Sequence, residues 1–161
     1  MNLPPSTSEI LAYKALGRLT EKGWLDWAYD MLIAGYETEY LLILAGMEQP
    51  LEHFEMRTLT DKVLAELKLD YSDTDKVITS FACYLANQSL KGEVESFEVL
   101  ETLKDIHVEL DLYSPLSYFY DLYYAKVDLL ESEDQWYIDD VDRSNIDSVI
   151  NDHLQEWASR V

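Results

Sequence analysis

Apolar residues recur at the spacing of an amphipathic helix in segment after segment of this chain, a pattern that turns one face of each segment toward a core. Ser6, Thr7 or Ser8 suits a first N-cap, followed by a face of Ile10, Tyr13, Leu16 and Leu19. Gly23 separates this from a second helix with Trp24, Trp27, Ala28 and Met31 on one stripe, and Gly35 fits its C-terminal stop. Thr38 opens a short third helix, Glu39 to Ala45, ended by Gly46. That segment is apolar nearly all round, so a central position is expected. A buried strand is the rival reading, against which stand its leucines and its single β-branched residue, Ile43.

Pro50 suits the first turn of a fourth helix, about Leu51 to Leu67, with Met56, Leu59, Val63, Leu64 and Leu67 inward. A fifth begins at Ser72 or Asp73, carries Val77, Phe81, Tyr84, Leu85 and Gln88 along one side, and ends at Gly92. A sixth opens at Ser96 with Phe97, Leu100, Leu103, His107 and Leu110 in line. Ser114-Pro115 signals a seventh, running to about Leu130. After a loop from Glu131 to Arg143, Ser144-x-x-Asp147 has the form of a capping box. The last stripe is Ile146, Val149, Ile150, His153, Leu154, Trp157 and Val161. The expectation is a single all-α domain over residues 1–161, an irregular antiparallel bundle of seven to eight helices.

Charge bounds the function. Against 32 acidic side chains stand 12 basic ones, a net charge of -20. Such a surface repels nucleic acid and anionic lipid and attracts basic proteins. Residues 1–70 carry 12 acidic and 6 basic side chains, and residues 71–161 carry 20 and 6. A basic partner is therefore expected to prefer the C-terminal half. No basic patch serves a nucleic acid, and no apolar run is long enough to span a membrane. With one cysteine, Cys83, and no secretion signal at Met1-Asn2-Leu3-Pro4-Pro5, a reducing, cytoplasmic setting is expected.

Catalytic signals are weak. His53, His107 and His153 lie far apart, and His107 and His153 fall on apolar stripes, the place of packed histidines. Cys83 has no nearby base to activate it and reads as a buried structural thiol. Carboxylate pairs such as Asp26/Asp30 and Glu52/Glu55 read as solvated surface. Asp140, Asp142 and Ser144 alternate as calcium ligands do, but Asn145 stands where the turn glycine belongs and Asn151 where the bidentate glutamate belongs. No P-loop, GxGxxG, GxSxG or zinc spacing occurs. No catalytic residue, cofactor or metal ligand is assigned on these grounds.

Two segments point to a partner. Glu131, Glu133, Asp134, Asp139, Asp140 and Asp142 surround Trp136-Tyr137-Ile138. Aromatics ringed by carboxylates have the composition of an interface hot spot, although they would equally serve as a plug folded onto the core. On the seventh helix, Leu116, Phe119, Tyr120, Tyr123, Val127 and Leu130 form one apolar face. Tyr118, Leu122, Ala125 and Leu129 form a second, with Asp121 and Asp128 on the flank between. Such a helix is either central or covered by another chain, including a second copy in a homodimer. The candidate partner-binding residues are those six loop carboxylates, Trp136, Tyr137, Tyr118 and Asp121.

One stretch carries a resemblance. Trp27-Ala28, Met31-Leu32-Ile33-Ala34-Gly35-Tyr36, Leu41-Leu42-Ile43-Leu44-Ala45-Gly46-Met47, Phe54-Glu55 and Leu64-Ala65-Glu66-Leu67 together resemble a recurrent block in small, acidic, all-helical, uncharacterised bacterial proteins. The block covers about residues 27–69 and consists of helix cores and glycine caps. Some of those proteins look similar to immunity proteins of bacterial toxin systems. The block itself says nothing of activity; the expected function, read from the acidic C-terminal half and its aromatics, is a protein-binding module that masks a basic partner, as a toxin antagonist or adaptor. Two further readings stay open: a small helical enzyme or ligand-binding protein, and an inhibitor that mimics DNA with rows of carboxylates.

Overall fold

The computed structural model describes residues 1–160, and Val161 of the last stripe lies outside the described residues. The fold is all-α, as the periodicity requires. The helices are α1 (Thr7–Leu16), α2 (Gly23–Ile33), α3 (Glu39–Ala45), α4 (His53–Leu67), α5 (Thr74–Leu90), α6 (Ser96–Glu109), α7 (Ser117–Glu131) and α8 (Ile146–Ala158). A short 3-10 turn, Ser114–Leu116, leads into α7. The chain gathers into two compact units, Met1–Tyr84 and Leu85–Val161, with the boundary inside α5.

In the first unit, Trp24, Trp27, Met31, Leu41, Leu44, Met56, Val63 and Leu64 are buried together with Ile10 and Leu19. Trp24 and Trp27 meet edge to face, their ring centroids 6.1 Å apart. The Trp27 indole N–H donates to Thr7 Oγ1 over 3.0 Å, which satisfies the polar edge of a ring that is otherwise in the core. Thr7 thus serves the core rather than capping α1. Buried Lys14 donates to Thr60 Oγ1 at 2.8 Å and Arg57 O at 3.3 Å and pairs with Asp61 at 2.7 Å. This is how a cation enters an apolar helix face: each proton has a partner.

Several local expectations are corrected. α1 stops at Gly17, whose φ of 73° is left-handed, while Gly23 is the first residue of α2. Leu19 is buried from the connecting turn rather than from a helix. Gly35, at φ 101°, does end α2: Tyr36 N–H donates back to Met31 O at 3.0 Å, the bond that closes such a stop. Pro50 precedes α4, whose first turn is capped by the Glu52 carboxylate accepting from Glu55 N–H. α3 is not central. Leu41 and Leu44 are buried, but Leu42 and Ile43 are 45% and 47% exposed. An all-apolar segment of seven residues is too short to reveal by itself which side is covered.

In the second unit α7 is the central element. It packs against α6, α8 and the 3-10 turn. Phe119, Leu122, Ala125 and Leu129 are buried, and every residue from Tyr118 to Leu129 is at least partly covered. Of the two explanations for its two apolar faces, burial within the fold is the one observed. Leu130, expected on a face, is exposed. The turn between α6 and α7 holds Asp111 and Leu112 at φ 54° and 63°. His107 braces it: its Nδ1 donates to Tyr113 O at 2.7 Å and its own carbonyl accepts from Tyr113 N–H at 3.0 Å. The ring is buried, so the packed role expected for His107 is the observed one. Cys83 is half-buried rather than buried.

Thr7→Val keeps the shape at the Trp27 contact and removes its acceptor. The expected result is a loss of about 1–3 kcal/mol in urea unfolding, the cost of a buried unpaired donor. An unchanged midpoint would show that the bond contributes nothing net.

Candidate functional site

The segment after α7 is acidic by composition but ordered by one neutral side chain. The Gln135 amide makes four hydrogen bonds to its own loop. Its Oε1 accepts from Tyr137 N–H at 2.8 Å and Ile138 N–H at 2.9 Å. Its Nε2 donates to the carbonyls of Ile138 and, at 2.9 Å, Val141. All four hydrogen-bonding positions of the amide are thereby filled. Asn145 closes the far end, accepting from Asp142 N–H at 2.9 Å and donating to Asp140 O at 3.0 Å. Between them Asp140 adopts a left-handed φ of 61°.

Asp142 replaces the expected capping box. Its carboxylate accepts from Ser144 N–H at 2.8 Å and from the Ser144 hydroxyl, and these bonds hold its pKa below the ordinary carboxylate value. Asp147, the other half of the expected box, pairs instead with Lys126 of α7 at 2.7 Å. Arg143, the one cation between residues 131 and 143, donates from Nε to Leu129 O at 2.7 Å. It satisfies a carbonyl at the C-terminal end of α7, where a positive charge is favoured.

This framework presents Trp136 outward. The indole is 90% exposed, which overturns its reading as a core plug. Tyr137 divides the two roles. Its ring stacks on Tyr124 at 5.7 Å and meets Tyr120 edge-on at 6.5 Å, yet it remains 43% exposed. Ile138 is partly covered. The carboxylates of Glu131, Glu133, Asp134, Asp139, Asp140 and Asp142 are on exposed residues, and Glu131 is the last residue of α7 rather than part of the loop. A concavity of about 440 Å³ is lined by Gln135, Trp136, Ile138 and the Asp139–Asp142 segment.

The two α7 candidates sit differently. Tyr118 is half-buried, its ring edge-on to His153 of α8 at 4.7 Å. Desolvation first, then the charges of Asp121 and Glu156, raise its pKa. Partial burial likewise raises the pKa of Asp121, opposed by nearby His107. Asp121 also acts on Tyr137, whose pKa is raised chiefly by desolvation and then by Asp128 and its neighbours. Asp121 therefore links the field around Tyr118 to that around the loop. Trp136 lines one concavity with Asp139, Asp140 and Asp142, while Tyr118 is engaged with His153 of α8.

His153 has an environment that its helical position did not reveal. Its ring lies 4.6 Å from Phe119, 4.7 Å from Tyr118 and 6.4 Å from Trp157, measured between centroids. Nε2 is buried without a hydrogen-bond partner, and Nδ1 is 3.8 Å from a Glu156 oxygen. Desolvation lowers its pKa, with Glu156 opposing and Arg160 assisting. The Gln135 clamp was equally hidden, because a glutamine in a loop carries no pattern. The Tyr120/Tyr124 platform, at i and i+4, was open to detection. Among the described residues no group of three or more His, Cys, Asp or Glu side chains is placed to hold a metal ion, and none of the helices is long and apolar enough to cross a membrane. In comparisons with known proteins, no family model, no curated protein and no solved structure matches this chain.

Two outcomes test this geometry. Gln135→Ala removes four bonds from the loop, so amide exchange at Tyr137 and Ile138 should accelerate severalfold or more while α7 keeps its protection. Unchanged exchange would mean that other contacts order the loop. For His153, the unfolded chain takes up the proton first, because the folded pKa is the lower one. Stability should therefore fall as pH drops below the ordinary histidine value of about 6.5. His153→Phe should lose less over the same interval, and parallel pH profiles would remove His153 as the cause.

Proposed function

We propose that this protein binds a basic protein partner through the Trp136 loop, as a toxin-neutralising, immunity-like protein or an adaptor would. The observation that carries the reading is Trp136, 90% exposed on a loop whose backbone is held from within by Gln135. A large apolar ring kept in water loses the stabilisation that burial would give it. Covering it with a partner recovers that stabilisation, and tryptophan is among the residues enriched at energetic centres of interfaces. Because the loop is already ordered, little conformational entropy remains to be lost on binding.

Electrostatics divides the labour. The carboxylates around Trp136 are exposed, so they contribute long-range attraction more than strength of the final contact. They steer a cationic surface toward the loop, and the desolvated indole and half-covered Tyr137 then slow its release. The partner's basic surface is masked both sterically and by charge. A single cysteine supports a reducing, cytoplasmic setting for this encounter.

Tagged protein recovered from its native cells at low salt should carry a basic protein in stoichiometric amount, and rising salt should release it. Trp136→Ala should weaken that association by about tenfold or more, as loss of a hot-spot residue does. With the purified pair, the association rate should fall as ionic strength rises. Equal recovery by wild type and Trp136→Ala, or a rate indifferent to salt, would overturn the assignment.

A further inference from the structure

The first unit carries an apolar surface that the Trp136 loop does not use. Phe54 of α4 is 70% exposed and Ile43 of α3 is 47% exposed, with Leu42 and Leu51 exposed as well. α3 packs against α4, and a groove of about 270 Å³ has Tyr40, Ile43, Phe54 and Leu59 among its lining residues, with Glu55 and Lys62. That volume is just below the range of small-molecule sites, about 300–1,000 Å³. A short helix, α3, beside a longer one, α4, with large apolar side chains lining the groove, matches the receptor side of helix-in-groove recognition.

Charge identifies the occupant. Glu55 lines the groove with Lys62, and Glu39, Glu48, Glu52 and Glu66, on or between these two helices, are exposed as well. Glu66 accepts from the Tyr40 backbone N–H at 3.0 Å, which fixes one carboxylate beside a lining residue. Lys62 sits over the Tyr40 ring at 5.0 Å, where a cation is attracted to the ring face. Arg57 is two residues from Glu55 on α4, a spacing that sends the two side chains to opposite flanks. A second copy of this chain would bring one net charge of -20 against another and be repelled.

We propose that the α3–α4 groove is a docking site for an amphipathic, cationic helix of a partner protein. Apolar side chains at i, i+3 or i+4 fill the groove beside Ile43 and Phe54, and flanking lysines or arginines meet the glutamates. The proposal stands without the assignment of the Trp136 loop.

The probe is a synthetic helical peptide of leucine and lysine with one apolar stripe. Its control is a scrambled peptide of the same composition, with no stripe. Full-length protein should bind the amphipathic peptide about tenfold more tightly than the scrambled one, the worth of burying one large side chain. The double variant I43Q/F54Q, altered only at exposed positions and checked for an unchanged melting curve, should lose that preference and keep the weak binding common to both peptides. W136A should retain the preference, which separates failure here from failure of the loop assignment. Equal affinity for the two peptides, or a preference that survives in I43Q/F54Q, would overturn the proposal. So would a concentration-dependent dimer in sedimentation that the double variant abolishes, since a second copy would then be the occupant.

Discussion

A chain with a net charge of -20 holds together against its own field, so burial of its apolar stripes must outweigh that repulsion. Repulsion among exposed carboxylates is screened by water and salt, whereas burial of a large aromatic ring contributes at full strength. The largest fully buried side chains include Trp24, Trp27, Trp157 and Phe119. Each unit closes around such rings, and the charged residues are left to the outside. Where a cation enters the interior, as Lys14 does, hydroxyl and carboxylate partners receive it.

In the second unit this burial also builds the surface. α7 is covered along its length because α6 and α8 both pack on it. Its tyrosines at 120 and 124 are then left as a platform that takes the Tyr137 ring. With Tyr137 seated and Gln135 bonded to the loop backbone, the adjacent residue, Trp136, has no place in the core. The exposed indole is thus a consequence of ordered neighbours rather than of a loose loop. An ordered, exposed tryptophan among carboxylates is the arrangement from which the proposed capture of a basic partner follows.

The N-terminal unit shows the same economy in a different form. α3 contributes two leucines to the core and leaves Leu42 and Ile43 in water. Phe54, at the start of α4, is also left out of the core. These side chains carry the proposed docking of a cationic helix, with exposed glutamates on the same two helices.

The helical period and the glycine and N-cap residues were legible in the chain itself, because they express local backbone preferences and the 3.6-residue turn. They located all eight helices, the stripes of α2, α4 and α8, and the packed role of His107. Errors arose where two local signals competed: Gly17 stopped α1 before Gly23 could, and Asp142 took Ser144 away from the expected capping box. What covers each face was decided only in three dimensions. Periodicity states which residues share a side of a helix, but not whether a neighbour lies against that side. Hence α3 read as central and proved half exposed, and Trp136 read as a possible plug and proved to be the most exposed large apolar side chain among the described residues. The Gln135 clamp depends on the turns its own loop takes, and the aromatic box around His153 on α7 packing against α8, and only the folded chain brings these groups into contact.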